Sequence, residues 1–442
     1  MQPTRITDFI KVFGGVGALA LITYVAEYAS FIVVLVYLSD TLTITFGLGA
    51  VGYVFVGTLS SGFLISSGLI AIGMGHLCDK YGRRKLMIVG CVLGAVALYS
   101  LLIANNFAAR GQLVPFAVAT AVSLSGLAIG HGTYTASTLA YGGDLAEKHQ
   151  TMGKAYGLVD GAEFAGYAFG PAVGTTALFL FNNTRTDVFV MSAFMLLACA
   201  GLAVVLMPEV RPASVVADPE QHNHDTDVTQ VEDKLPVDTH SHSASWGDYI
   251  NAFRTPIVGV ALLTTLVGAV GFSAFFYYVP LYANSLTQSV PSFKLLFGYF
   301  ASIMALSGVL FMVPFGDFED KTKRRMPYLV AGLIGAAASL ALVFFTATAA
   351  TFVVAAVAFG LSIGMVRVSQ LVILAEASHP SNRATIMGTN HAMEHVGYGV
   401  ATLVTGILVA AFQFVDAFRI LSVVLVVAGV AFLLYARWAK VK

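Results

Sequence analysis

Apolar residues form long continuous runs along this chain, and polar residues are largely confined to the segments between them. Most runs hold about 20 residues or more, enough for an α-helix to cross the hydrocarbon core of a bilayer. The runs do not alternate polar with apolar positions, which argues against membrane-spanning strands. The pattern predicts an all-α polytopic membrane protein with twelve transmembrane helices, at approximately 12–38, 45–74, 86–104, 112–141, 153–181, 188–207, 255–283, 293–316, 327–347, 350–375, 385–413 and 417–437.

Composition agrees with this interpretation. Of 442 residues, 57% are hydrophobic and 11% are charged, and the formal net charge is zero. A soluble protein carries roughly twice that share of charged residues. No basic excess is available to bind nucleic acid, and the three scattered cysteines predict neither a disulfide framework nor a metal cluster.

Lysine and arginine are unevenly distributed between the predicted loops. With the N-terminus in the cytoplasm, 19 of the 24 basic residues fall in cytoplasmic segments, four fall in external loops and one, Arg367, lies inside a span. Basic residues accumulate on the cytoplasmic side of a membrane protein. An even number of spans then predicts that both termini are cytoplasmic, in the bacterial cytoplasmic membrane or a membrane derived from it.

Residues 208–246 interrupt the apolar pattern with a polar, acidic segment that contains HNHD and HSHS. Such a composition predicts a disordered cytoplasmic linker. Weak metal binding by its histidines is the alternative. The linker divides the chain into an N-terminal six-helix bundle, 1–207, and a C-terminal six-helix bundle, 247–442.

The two halves contain similar segments in corresponding places, which is typical of internal repeats in transporters. GHLCDKYGRRK (75–85) follows span 2, and GDFEDKTKRRM (316–326) follows span 8. GLVDGAEFAGY (157–167) in span 5 aligns with GTNHAMEHVGY (388–398) in span 11. The second alignment includes ionisable residues that lie inside the membrane.

Ionisable residues inside a span are costly in hydrocarbon and therefore indicate function. The ionisable residues and tyrosines that we assign to proton or substrate binding are Glu27, His131, Asp160, Glu163, Tyr167, Arg367, His391, Glu394, His395 and Tyr398. On an ideal helix, the polar residues of span 5 share one face with two of its glycines, and span 11 has a corresponding stripe. A carboxyl group away from water can exchange protons near neutral pH.

Alternative interpretations of these residues remain open. The carboxylates of span 5 could form buried structural pairs with Arg367 or with a histidine. Arg367 either neutralises such a carboxylate or binds an anionic group of a substrate. Imidazole and carboxylate groups also bind transition metals, and the candidate metal ligands are Glu163, His391, Glu394 and His395.

Two motifs resemble the major facilitator superfamily. The loop motif G-x-L-x-D-x-x-G-R-[RK] is matched at Gly75, Leu77, Asp79, Gly82, Arg83 and Arg84. The antiporter motif G-x8-G-x3-G-P-x2-G of span 5 is matched at Gly157, Gly166, Gly170, Pro171 and Gly174. The resemblance covers all of the chain except the linker and implies two pseudo-symmetric six-helix bundles, in a branch that exchanges drugs for protons.

The resemblance also implies roles for the two motifs. The span 5 glycines would pack against a helix of the other half. The loop after span 2 would form a conformational latch, with Asp144 as its acidic partner at the end of span 4. Many proton-coupled members carry an arginine in span 4 before a G-x-G; here Gly126 occupies that place, so His131 is the candidate to take part in proton transfer.

These observations predict a proton-coupled antiporter that exports a cationic or neutral small molecule by alternating access. Protons are the coupling ion, no other cofactor is expected, and the partners are a small-molecule or ion substrate and the lipid bilayer. We expect a monomer. The alternatives are a divalent metal-ion transporter of the same fold and a membrane sensor or scaffold without transport. No nucleophile-and-base set indicates an enzyme.

Overall fold

The computed structural model describes residues 6–149, 152–182, 184–207, 256–286, 293–322, 325–345, 348–377 and 383–438. Within these ranges every regular element is a helix. The predicted linker at 208–246 lies outside the described residues. The side chains of Asp79, Asp144 and Asp160 and the surroundings of Gly75 and Gly157 are likewise outside what the structure describes.

The helices follow the apolar runs closely. The N-terminal set is α1 (Ile6–Asp40, continued by a π-helical turn at Thr41–Thr45), α2 (Val51–Tyr81), α3 (Arg83–Ala109), α4 (Leu113–His149), α5 (Met152–Leu180) and α6 (Arg185–Leu206). In the C-terminal set, α7 joins Pro256–Ser273, a π-helical turn Ala274–Tyr278 and Val279–Ser285. It is followed by α8 (Phe293–Thr322), α9 (Arg325–Phe345), α10 (Ala349–Ala377) and α11 (Arg383–Trp438).

In the described part of the chain, nine helices are long and apolar enough to cross a membrane. Neither α5 nor α8 is among the nine, and the apolar part of α8 is short, at Leu296–Met312. The two spans predicted at 385–413 and 417–437 both lie in α11, which consists of two helices joined at a kink. Its helical geometry breaks at Gln413 alone, with φ 64° and ψ 170°.

Glycines allow several helices to approach one another closely. A Cβ on Gly130 of α4 would lie 2.9 Å from the carbonyl oxygen of Gly90 and 2.8 Å from the nitrogen of Gly94, both on α3. Gly57 of α2 and Gly406 of α11 meet in the same way. Helices in lipid associate through such backbone contacts, because lipid tails are as apolar as the side chains.

Most contacts between helices lie within the N-terminal set or within the C-terminal set. In the N-terminal set α1 packs on α5 and α6, and α4 packs on α2 and α3. In the C-terminal set α10 packs on α7, α8 and α9, and α11 packs on α7 and α9. Contacts between the two sets run mainly along α2 with α11 and along α5 with α8. The ionisable side chains lie near these two seams.

A polar contact joins the two sets at one end of the helices. Asp40, at the end of α1, accepts hydrogen bonds from Arg185 of α6 and from Asn284 of α7. The Asn284 Nδ2 to Asp40 Oδ1 distance is 2.9 Å. Both members of the Arg185–Asp40 ion pair are partly exposed, so we expect a modest contribution, of about 0–1 kcal/mol.

We expect Asp40→Asn to separate the two sets at this end in a larger fraction of molecules. Neutralising the acceptor should weaken the hydrogen bond from Asn284, which crosses between the two sets, by up to about 1 kcal/mol and so shift a two-state equilibrium by a few-fold. The measurement is the distance between spin labels at Ile44→Cys and Ser285→Cys, both exposed positions near this end. Asp187→Asn, an exposed acid in the first turn of α6, is the control. Identical distance distributions in Asp40→Asn and Asp187→Asn would contradict the prediction.

Candidate functional site

The spacing of the glycines on α5 fits this helix against α1. A Cβ on Gly166 would lie 3.1 Å from the carbonyl carbon of Tyr24, and one on Gly174 would overlap the carbonyl oxygen of Ala29. Gly170 meets the same helix between these two positions. The α1 backbone therefore lies directly against this face of α5, which fixes the positions of the polar side chains beside it.

The resemblance implied that these glycines face the other half of the protein, and the structure differs. The contact of α5 with α8 is made by Pro171 and Thr175, where a Cβ on Gly298 would lie 2.8 Å from the Pro171 oxygen. A hydrogen bond of 2.7 Å between the hydroxyls of Thr176 and Tyr299 extends this seam. At this contact the glycine is Gly298 on α8, so α8 rather than α5 provides the space for close approach.

Glu27 and His131 form a fully buried pair between α1 and α4. The His131 Nδ1 atom lies 2.7 Å and 2.8 Å from the two carboxylate oxygens of Glu27. Tyr134, one turn further along α4, donates its hydroxyl hydrogen bond to the same carboxylate. Glu27 has no solvent exposure and His131 has 2%. The His131 Nε2 atom has no hydrogen-bond partner among the described residues.

Glu163 and His395 form a second buried pair, between α5 and α11. The His395 Nε2 atom lies 3.7 Å from a carboxylate oxygen of Glu163. The Ser67 hydroxyl lies 3.4 Å from His395 Nδ1, and the Tyr167 hydroxyl lies 3.5 Å from the Glu163 carboxylate. The rings of His131 and His395 are 5.3 Å apart, so the two pairs are adjacent.

Arg367 binds Glu394, which is a third buried carboxylate. The guanidinium of Arg367 on α10 and the hydroxyl of Tyr398 both donate hydrogen bonds to a Glu394 oxygen. The guanidinium also lies 4.1 Å above the ring of Phe164 on α5, a cation–π distance. Of the two roles considered for Arg367, the structure shows carboxylate neutralisation.

Beside this ion pair lies a small cavity with an amide and hydroxyl group that the sequence did not single out. Gln370 of α10, Thr265 of α7 and Asn390 of α11 hydrogen-bond to one another, with 2.7 Å from Gln370 to Asn390 and 2.7 Å from Thr265 to Asn390. All three are buried and line the cavity together with Arg367 and Glu394. Polar residues at helical spacing from a charged residue, such as Gln370 near Arg367, are a signal that could have found them.

An aromatic layer surrounds the buried pairs. The Tyr28 and Tyr167 rings are 4.1 Å apart, and Phe272 stacks on Tyr398 at 4.8 Å. Phe276 contacts Tyr28, Tyr167 and Phe272, which connects α1, α5 and α7. These rings exclude water from the ionisable centre and strengthen its electrostatic interactions.

The remaining predicted residues are placed as follows. The His391 ring lies 4.8 Å from that of His395. The side chain of Asp160 and the surroundings of Gly157 are outside what the structure describes. Of the candidate metal ligands, Glu163 and His395 lie together with His131, whereas Glu394 is bound to Arg367.

The loop motif after α2 is described in part. Gly82 joins α2 to α3 with φ 95°, a conformation that favours glycine. The buried Arg83 donates a hydrogen bond of 3.0 Å from Nη1 to the carbonyl oxygen of Cys78. Arg84 is half-buried. Gly75, Asp79 and Asp144 complete the predicted latch. The surroundings of Gly75 and the side chains of the two aspartates are outside what the structure describes, so the latch stays a prediction.

The charges at this centre do not balance by themselves. In the described part of the centre, Arg367 is the fixed cation beside Glu394, while Glu27 and Glu163 each face a histidine. A buried charge requires compensation. The two histidine-paired carboxylates are therefore compensated only when protons or another cation are present. Such an arrangement can bind and release positive charge.

A helical membrane chain with a buried ionisable centre near the contact of two helix sets has the architecture of a membrane transporter. The chain belongs to the Major Facilitator Superfamily, whose family model matches residues 16–368 and 294–441. No curated protein sequence matches it significantly. Membership of this family indicates a transporter.

Several solved structures share the fold at low sequence identity. A mutant of the nucleoside transporter NupG has a TM-score of 0.70 and 13% identity, over 94% of this chain and 99% of that chain. A D-xylose–proton symporter has a TM-score of 0.70 and 15% identity, over 95% and 97%. A POT family transporter in complex with 5-aminolevulinic acid has a TM-score of 0.68 and 12% identity, over 95% and 96%. At these identities the likeness shows the fold alone.

Proposed function

We propose that this protein is a proton-coupled secondary transporter that exchanges a cationic or neutral small molecule for protons. The observation that carries the proposal is the charge balance of the centre. Glu27 and Glu163 are buried opposite His131 and His395, so each pair must gain a proton or another cation to be neutral. A site that must contain positive charge can take protons from one side and exchange them for a substrate.

The proposed architecture has twelve transmembrane helices in two six-helix bundles, 1–207 and 247–442, joined by the linker 208–246. Its support is that α5 and α8 pack between apolar helices and that the break at Gln413 divides α11 into two spans. The distribution of lysine and arginine supports cytoplasmic termini. We propose a bacterial cytoplasmic membrane and a monomer, as expected from the sequence.

Alternating access would proceed by rocking of one bundle against the other around the ionisable centre. The α2–α11 and α5–α8 seams are the surfaces that would slide or part. The Asp40 contact with Arg185 and Asn284 would close the external end, because α1 begins in the cytoplasm. Asp79, with Asp144, would regulate the opposite end.

Export in exchange for protons is the direction we propose, and it rests on the glycine and proline motif of α5. Proton coupling occurs on this fold, since one similar structure is a D-xylose–proton symporter. The buried acids of this centre favour a cationic or neutral substrate over an anionic one.

The test measures proton-linked movement without needing the substrate. Spin labels at Ile44→Cys and Ser285→Cys report the separation of the two helix sets in protein reconstituted into lipid nanodiscs. We expect the distance distribution to change between pH 8 and pH 5. Glu27→Gln and Glu163→Gln, which remove carboxylates that face His131 and Tyr134 or His395 and Tyr167, should each reduce that change at least several-fold.

Asp416→Asn is the matched control, because Asp416 is an exposed acid away from the centre. It should respond to pH as the wild type does. A wild-type distribution that is the same at both pH values would contradict proton coupling and would favour the sensor or scaffold alternative. An equal response in Glu27→Gln and Asp416→Asn would remove the centre from the mechanism.

A further inference from the structure

Three potential metal ligands meet at the centre. The ligand atoms of His131, Glu163 and His395 all lie within 4.8 Å of one another, and all three residues are buried. They come from α4, α5 and α11, so the group spans both helix sets. A site shared by the two sets would be assembled or opened whenever the sets move relative to one another.

In each of the two histidines, the Nδ1 atom has a polar neighbour outside the three-residue cluster. The Nδ1 atom of His131 is hydrogen-bonded to Glu27, and the Nε2 atom of His131 has no hydrogen-bond partner in the described residues. The Ser67 hydroxyl approaches the Nδ1 atom of His395, whose Nε2 atom faces Glu163. Metal-binding histidines commonly donate their second N–H to a carboxylate or another acceptor, which sets the tautomer and the ring orientation.

The spacing and chemistry suit a small transition-metal ion. Bond lengths of about 2.0–2.2 Å to nitrogen and oxygen place neighbouring tetrahedral ligands roughly 3.4 Å apart. The His395 Nε2 to Glu163 oxygen distance of 3.7 Å is close to that separation. Two imidazoles and one carboxylate favour zinc or cobalt over calcium and magnesium, which prefer oxygen ligands. Three protein ligands leave a fourth position for water, as an exchangeable ion requires.

Charge balance supports the same ion class. With both imidazoles neutral, Glu27 and Glu163 contribute two negative charges beside the cluster, while Arg367 already compensates Glu394. One divalent cation balances these two charges without any added proton. The same centre can therefore be neutralised by protons or by the ion.

We propose that His131, Glu163 and His395 bind a divalent transition-metal ion of the zinc and cobalt class, and that such an ion is a substrate of this transporter. The binding site stands on the geometry alone. The assignment as substrate rests on the proposed transport function.

Binding is tested on the full-length protein in detergent with Co²⁺ and Zn²⁺ as probes. The four linker histidines, His222, His224, His240 and His242, are replaced by serine in every sample so that the linker does not contribute. Visible absorption reports the coordination of Co²⁺, and calorimetry reports the affinity for Zn²⁺. We expect one ion per chain and a Co²⁺ spectrum typical of four-coordinate geometry.

Variants locate the ion. Glu163→Gln and His395→Gln should each weaken binding by roughly 100-fold or more, because each removes a ligand. His395→Cys keeps a ligand atom at this position, so it should retain binding and add thiolate-to-cobalt charge-transfer absorption. Asp416→Asn is the control: it removes an exposed carboxylate away from the centre, and its affinity should stay within a few-fold of the wild type.

Two binding results would overturn the site. The first is that the parent protein binds neither Co²⁺ nor Zn²⁺. The second is that Glu163→Gln and His395→Gln bind as tightly as Asp416→Asn, which would place the ion elsewhere. The spin-label response to pH is measured separately, so loss of the metal site and loss of proton-linked movement give different results.

Transport is tested in proteoliposomes that contain a Zn²⁺-sensitive fluorophore. Zn²⁺ entry should follow an imposed pH gradient and should be abolished in Glu163→Gln but not in Asp416→Asn. Binding without Zn²⁺ movement in either direction of the gradient would overturn the assignment of the ion as a substrate.

Discussion

Replacing Arg367 with methionine is expected to lower the free energy of unfolding by about 3–5 kcal/mol, since it leaves Glu394 buried without its cation. Arg367 and Glu394 have side-chain exposures of only 13% and 8%. Arg367→Met/Glu394→Gln removes both charges and should recover most of the loss, because the cost comes from the isolated carboxylate. The measurement is equilibrium unfolding in detergent at pH 8, followed by circular dichroism.

Arg419 and Asp416 provide the control ion pair. They are 2.8 Å apart on one helical run, and both are more than half exposed. Arg419→Met should change stability by less than about 1 kcal/mol, because exposed pairs contribute little. If Arg367→Met and Arg419→Met had similar effects, Glu394 would not depend on its buried partner.

Gly174→Ala is expected to destabilise the protein by about 1–3 kcal/mol, the usual cost of forcing extra volume into a packed interior. The added Cβ would lie 2.8 Å from the carbonyl carbon of Ala29 and would overlap its oxygen. These are backbone atoms of α1, so no side-chain rotation relieves the contact. Thermal unfolding should show a midpoint several degrees below that of the wild type.

Gly161→Ala is the matched control on the same helix, because nothing lies within 4 Å of a Cβ at that position. Alanine is the better helix former, by about 1 kcal/mol. Gly161→Ala should therefore raise the stability of the protein or leave it unchanged, whereas Gly174→Ala should lower it. A stable Gly174→Ala protein would mean that α1 and α5 can separate without cost.

Most helices of the fold could be predicted from the sequence, because a lipid environment permits few backbone structures. Backbone polar groups must be satisfied within each segment, so a continuous apolar run of sufficient length forms a helix. The apolar runs predicted the helix boundaries within several residues. Between the spans predicted at 385–413 and 417–437, the helical geometry breaks at Gln413, and no long polar segment separates them.

The sequence indicated which residue types lie in the candidate site, but it did not indicate which of them contact one another. Periodicity places Glu163 and Tyr167 on one face of α5, yet it does not indicate which helix lies opposite. The contact of Glu27 with His131 depends on how α1 packs on α4, and the approach of His395 depends on the α2–α11 seam. Tyr134 follows His131 by three residues and could have been proposed from that spacing.

The π-helical turn in α7 gives this helix two possible lengths. Each π-turn accommodates one more residue than an α-turn. If Ala274–Tyr278 tightened to an α-helical turn, the following segment, Val279–Ser285, would rotate by about 100° and move by about 1.5 Å along the axis. Asn284 would then leave Asp40, and the present contact between the rings of Tyr277 and Phe31 of α1 would also change. A one-residue change of helical register beside the centre would thus be transmitted to the contact that joins the helix ends.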